Sequence, residues 1–118
     1  MLLRILFWSA AIFAFVVAVL PYPPPLGHVS DKIQHIAAFA TLTVLAVAAH
    51  PRAELLRIAE RLILLGAVIE VVQSIPALHR DCDIKDLLTD CLAIGVVMAV
   101  VILYRQTQPP AAEGPQQP

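Results

Sequence analysis

The sequence predicts an all-α membrane protein, built as a four-transmembrane-helix up-down bundle with both termini in the cytoplasm. Three observations predict it. First, 59% of the 118 residues are hydrophobic and 14% are charged, against about 45–50% and about 25% in an average soluble domain. The mean hydropathy is +0.80. A soluble chain this short leaves roughly a third of its unfolded surface exposed, so it has no core large enough to hide so much apolar side chain. Second, the ten prolines all fall between the long apolar runs, as they must if each run is one helix. Third, the runs between them have about the length that crosses a bilayer, roughly 17–25 residues. The same numbers exclude other classes. Two cysteines cannot make a disulfide scaffold, and a net charge of −1 does not suit a nucleic-acid binder.

The elements follow in order. A first helix is expected over residues 2–20, stopped by Pro21. Arg4 followed by an apolar stretch also has the look of a signal peptide. The stretch is longer than the usual h-region, however, and no A-x-A site precedes Pro21, so an uncleaved helix is expected. Pro21–Pro25 suit polyproline II, and residues 26–32 a loop. A second helix is expected over 33–49, stopped at His50-Pro51. A third is expected over 61–75, stopped at Pro76; it is short and carries Glu70 and Gln73, so an interfacial or re-entrant segment is its alternative. A fourth is expected over 86–104. Residues 1–106 then form one transmembrane domain. The tail 107–118, polar and Pro-rich, is expected to be disordered. Trp8 with Phe7, and Tyr104 near Arg105, read as interfacial anchors.

Lys and Arg mark the cytoplasmic side. With four spans, Arg4, Arg52, Arg57, Arg61 and Arg105 share one side, and Lys32, Arg80 and Lys85 share the other. This bias places both termini on the cytoplasmic side of a membrane crossed several times.

Charges on the side opposite the termini gather in three places. Asp31, Lys32 and His35 open the second helix. Glu70 and Gln73 close the third. Arg80, Asp81, Asp83, Lys85, Asp86 and Asp90 open the fourth. In an up-down bundle these three places lie in one layer. Spacing agrees: Asp31 and His35 are i and i+4, Glu70 and Gln73 are i and i+3, and Asp83, Asp86 and Asp90 form one helical stripe. Ionisable groups inside a span are costly unless paired or wetted. Glu70 and Asp90 sit within apolar runs and are therefore expected to face the bundle interior, with Arg80, Lys32 and His35 as available cations. Taken singly, Asp31-Lys32 also suits a solvated helix cap, and Asp81 and Lys85 suit ordinary loop charges. His28, His50 and His79 read as surface. Cys82 and Cys91 fall on nearly opposite sides of one helix, which disfavours a bond between them.

The order DKIQHIAAFATL, IEVVQSIP, RDCDIKDLLTD resembles the VanZ-like family of small bacterial membrane proteins. That family's pattern is D-K-x-x-H at one helix start, E-x-x-Q at a helix end, and R-x-x-D-x-x-D-x-x-x-N-x-x-G at the last helix. The resemblance covers residues 31–95. It carries over Asp31, Lys32, His35, Glu70, Gln73, Arg80, Asp83 and Asp86. Two positions depart: the usual Asn is Asp90, and the usual Gly is Ala93. The resemblance implies a cell-envelope protein, with a tie to tolerance of glycopeptides of the teicoplanin type.

Four functions compete. The favoured one is a non-enzymatic site near the outer leaflet, binding a lipid-linked envelope intermediate or another anionic head group through Lys32, Arg80 and Lys85. Its partners are then the bilayer and that intermediate, with a homodimer left open and no nucleic acid. The alternative is a metal-assisted hydrolase or transferase acting on a lipid head group. Asp83, Asp86 and Asp90, with Glu70 and Asp31, would offer hard oxygen ligands to a divalent metal, and His35 or Glu70 would be the catalytic candidate. No other cofactor is evident. An ion-coupled carrier and a purely structural polar network complete the set.

Overall fold

Four helices, in a computed structural model of the chain, make up the described structure: α1 (Leu2–Val19), α2 (Asp31–Ala49), α3 (Leu55–Gln73) and α4 (Ile84–Thr107), with one 3-10 turn at Pro76–Leu78. The described residues are 1–21, 30–80, 82–111 and 114; the side chain of Asp31 lies outside them. The polyproline expectation for Pro21–Pro25 falls almost wholly outside this set, as does the disordered-tail expectation for most of its length.

Local chemistry sets the helix ends. α1 stops because Leu20 precedes a proline and takes extended geometry (φ −61°, ψ 131°). α2 begins two residues earlier than the apolar pattern predicts, because the Ser30 hydroxyl accepts a hydrogen bond from the Ile33 N–H at 3.4 Å. It ends at His50, again just before a proline, and the His50 Nδ1–H donates to the Ala46 carbonyl at 3.1 Å. α4 is capped by Asp83, whose Oδ1 accepts from the Lys85 N–H at 2.9 Å. It runs to Thr107, past the expected end at 104.

α3 is the largest correction. It starts at Leu55, six residues before the expected Arg61, and stops at Gln73 rather than Ile75. The charges of its first two turns, Glu54 with Arg57 at 3.1 Å and then Glu60 and Arg61, stand on the exposed side of a continuing helix.

Contacts fix which ends meet. The Arg4 guanidinium lies against the Ala49 carbonyl, and the Phe7 ring meets the His50 ring edge-on at 5.6 Å, joining the start of α1 to the end of α2. At the opposite end, Gln73 and Arg80 reach Ala18, and His35 reaches Asp90. Helices consecutive in the chain therefore run antiparallel, while α2 and α4, whose N-terminal turns meet through His35 and Asp90, run parallel. α2 packs against the other three, α4 against α2 and α3, and α1 against α2 and α3.

The core is thin. Phe39, Leu42, Leu62, Ile69, Ile94 and Met98 centre it, while Leu56, Leu64, Val71, Leu92, Val96 and Val100 point outward. Gly66 lets three helices close together: a Cβ there would lie 3.0 Å from Asp90 Oδ2, 3.3 Å from Leu87 Cδ1 and 3.4 Å from Phe39 Cζ. Polar groups lie inside instead, with Thr43 and Asp90 at 0% exposure and Glu70 and Gln73 nearly so. An apolar outside around a polar inside suits a lipid solvent. Three helices, α1, α2 from Lys32, and α4, are long and apolar enough to cross a membrane.

Candidate functional site

The three charge groups of the sequence converge at one end of the bundle. His35 is the hinge of the cluster. From the second turn of α2 its Nδ1 lies 2.8 Å from Asp90 Oδ1, and its Nε2 lies 3.9 Å from Asp86 Oδ2. Asp86 and Asp90 share a face of α4 as an i, i+4 pair, so one imidazole spans both. Lys32, one turn before on α2, stands 3.9 Å from Asp86 with its side chain 54% exposed. Glu70 arrives from the last turn of α3. Its Oε2 accepts from the Asp83 N–H at 3.1 Å, which ties the end of α3 to the start of α4. His35, Glu70 and Asp86 bring one ligand atom each to within 4.8 Å of one another.

Arg80 and Gln73 do something the sequence does not announce. A helix C-terminus leaves its last carbonyls without intrahelical partners, and such groups are costly in lipid. At the end of α1, Arg80 donates to the Ala18 carbonyl (Nε 3.0 Å, Nη2 2.7 Å) and to the Val17 carbonyl (2.9 Å). Gln73 Nε2 donates to the same Ala18 carbonyl at 2.8 Å. The expectation that Arg80 would be available to Glu70 or Asp90 is therefore corrected: its cation is placed on a helix end, where it also suits the dipole.

Of the metal-ligand candidates Asp83, Asp86 and Asp90, only Asp86 joins a group of possible ligand atoms among the described residues. Asp83 uses its carboxylate as the cap of α4, and Asp90 takes the His35 ring, leaving Asp86 to meet His35 and Glu70. Lys85 is exposed, and the side chain of Asp31 and all of Asp81 lie outside the described residues. His79 holds left-handed geometry (φ 51°) at the end of the 3-10 turn. Both cysteines are unpaired. Desolvation, and then the adjacent Glu70, Asp83 and Asp86 carboxylates, push the Cys82 thiol up from its ordinary range. It is therefore a poor nucleophile at neutral pH.

Three buried oxygens in this layer, Glu70 Oε1, Gln73 Oε1 and Asp90 Oδ2, have no hydrogen-bond partner among the described residues. Beside them a cavity of about 640 Å³ opens between α1, α2 and α3. Phe13, Ala14, Val17, Ala38 and Leu42 make its apolar wall; Lys32, His35, Gln73, Arg80, Asp83 and Asp86 make its polar end. Sequence reasoning missed Gly66 and the α1 carbonyls. The first needed the crossing point of three helices, but the second was open to inspection, since any helix end in lipid requires donors.

No family model, no curated protein and no solved structure matches this chain.

Proposed function

We propose that this chain is a VanZ-like integral membrane protein of the bacterial inner membrane that binds the anionic head group of a lipid or lipid-linked envelope intermediate near the outer leaflet. In this reading all four helices span, and both termini lie in the cytoplasm. α3 is as long as α2, at 19 residues, or about 28 Å at 1.5 Å per residue. The charges at its start can snorkel to the interface, and Glu70 is turned inward. The VanZ-like assignment is supported by motif residues that meet in space: His35, Glu70, Asp83 and Asp86. A tie to glycopeptide tolerance rests on the resemblance alone.

The observation that carries the binding role is the shape of the cavity. An apolar wall running along α1 and α2, ending in a polar layer, has the form of an amphiphile: chain beside helix, head group beside Lys32. Lys32 suits the head group because it is exposed and only loosely held by Asp86.

Native mass spectrometry of the purified protein in neutral detergent tests this. Phosphatidylglycerol should stay bound where phosphatidylcholine leaves, and Lys32→Gln should cut the retained fraction several-fold. Equal retention of both lipids, or retention that ignores Lys32→Gln, would overturn the reading.

A further inference from the structure

The His35 ring is held from one side only. Asp90, wholly buried, accepts from Nδ1 at 2.8 Å. That bond places the proton on Nδ1 and leaves the Nε2 lone pair directed toward Asp86 Oδ2, 3.9 Å away. The separation is too long for a hydrogen bond. It is a natural spacing for two donors on one cation, since donors about 2.1–2.4 Å from an ion lie at most about 4.2–4.8 Å apart. The third donor is Glu70, within 4.8 Å of both. Glu70 is 6% exposed, and its buried Oε1 has no hydrogen-bond partner among the described residues. A buried carboxylate oxygen without a hydrogen bond is costly, and a cation would satisfy it.

From this geometry we infer that His35, Glu70 and Asp86 form a site for one divalent first-row transition-metal cation of the Mn²⁺ kind. The two carboxylates suit Mn²⁺, and the imidazole favours a transition metal over Mg²⁺. Asp90 is the outer partner that orients the ligating histidine, the usual carboxylate–histidine–metal arrangement. His35 and Asp86 also line the cavity, so the remaining coordination positions face its polar end. A cation placed there would meet the phosphate oxygens of a bound head group. That last step rests on the head-group reading; the cation site does not. The opposing arrangement is an imidazolium bridging Asp86 and Asp90 with no ion.

The test uses the full chain in detergent, stripped with EDTA and titrated with Mn²⁺. Electron paramagnetic resonance should show about one tightly bound Mn²⁺ per chain, with spin-echo modulation from an imidazole nitrogen. Removing an outer-shell partner typically weakens a metal about 10–100-fold. His35→Gln, Glu70→Gln and Asp86→Asn should each weaken it by at least that factor, and His35→Gln should also erase the nitrogen modulation. Arg57→Gln, exposed and at the opposite end of the bundle, should change neither. Absence of stoichiometric uptake by the wild-type chain, or uptake without nitrogen modulation, overturns the inference; this needs no variant to fold. Mn²⁺ uptake with no lipid retention would sink the head-group reading and leave the cation site standing.

Discussion

At the residue scale, His35 and Asp90 depend on each other. Removing His35 leaves a fully buried carboxylate uncompensated, a loss typically of about 3–5 kcal/mol. His35→Ala should approach that loss, and adding Asp90→Asn should recover much of it; additive losses in a double-mutant cycle, read by reversible unfolding in mixed micelles, would argue against the pair. Gly66→Ala brings a methyl to 3.0 Å from Asp90 Oδ2 and should cost about 1–3 kcal/mol by overpacking, against little change if the helices can part there. The raised pKa of Cys82 leaves less thiolate at neutral pH, so maleimide should react with it slowly at pH 7 and faster as pH rises. Glu70→Gln removes one of the negative charges acting on the thiol, lowers that pKa and should speed the reaction several-fold at pH 7; an unchanged rate would show that Glu70 does not act on the thiol. The sequence showed that Glu70 and Asp90 sit inside apolar runs. It did not show that His35 pairs with Asp90, 55 positions away, because that depends on how α2 and α4 are rotated against each other.

At the element scale, α1 is the loosest member of the bundle, with Ala11 its one buried residue among those described. Its C-terminal end is held by Arg80 and Gln73, and hydrogen bonds from a charged donor are worth about 1.5–3 kcal/mol. Arg80→Ala should therefore raise amide exchange in the last turn of α1 while α2 and α4 stay protected. Equal loosening of all helices would mean that Arg80 holds the whole core. Helix ends were legible where proline sets them, at Pro21 and Pro51, but α3 stops at Gln73, ahead of Pro76. The start of α3 was not legible, because Glu54, Arg57, Glu60 and Arg61 interrupt the apolar run although they stand on the exposed side of its first turns. Ser30 and Asp83 extended α2 and α4 beyond their apolar patterns through cap hydrogen bonds, a cue present in the sequence but outweighed by hydropathy.

At the scale of the whole molecule, composition declared the membrane and the charges declared the polar layer. What composition could not give was the division of labour within that layer: Arg80 closes α1, Asp83 starts α4, and His35, Glu70 and Asp86 turn toward one another beside the cavity. On the proposed four-span reading, with the Lys/Arg bias described, a reporter fused after Pro118 should be active in its cytoplasmic form; periplasmic activity would reverse the topology. The central claim is that this layer is a binding site and not packing alone. The most direct measurement compares folded yield with phosphatidylglycerol retention for Lys32→Gln and Asp86→Asn in the purified full-length chain. The account predicts near-normal yield for Lys32→Gln with retention reduced several-fold, and altered retention for Asp86→Asn in whatever fraction folds. Unaltered retention in both variants, or a loss of retention that only tracks a loss of fold, would contradict it.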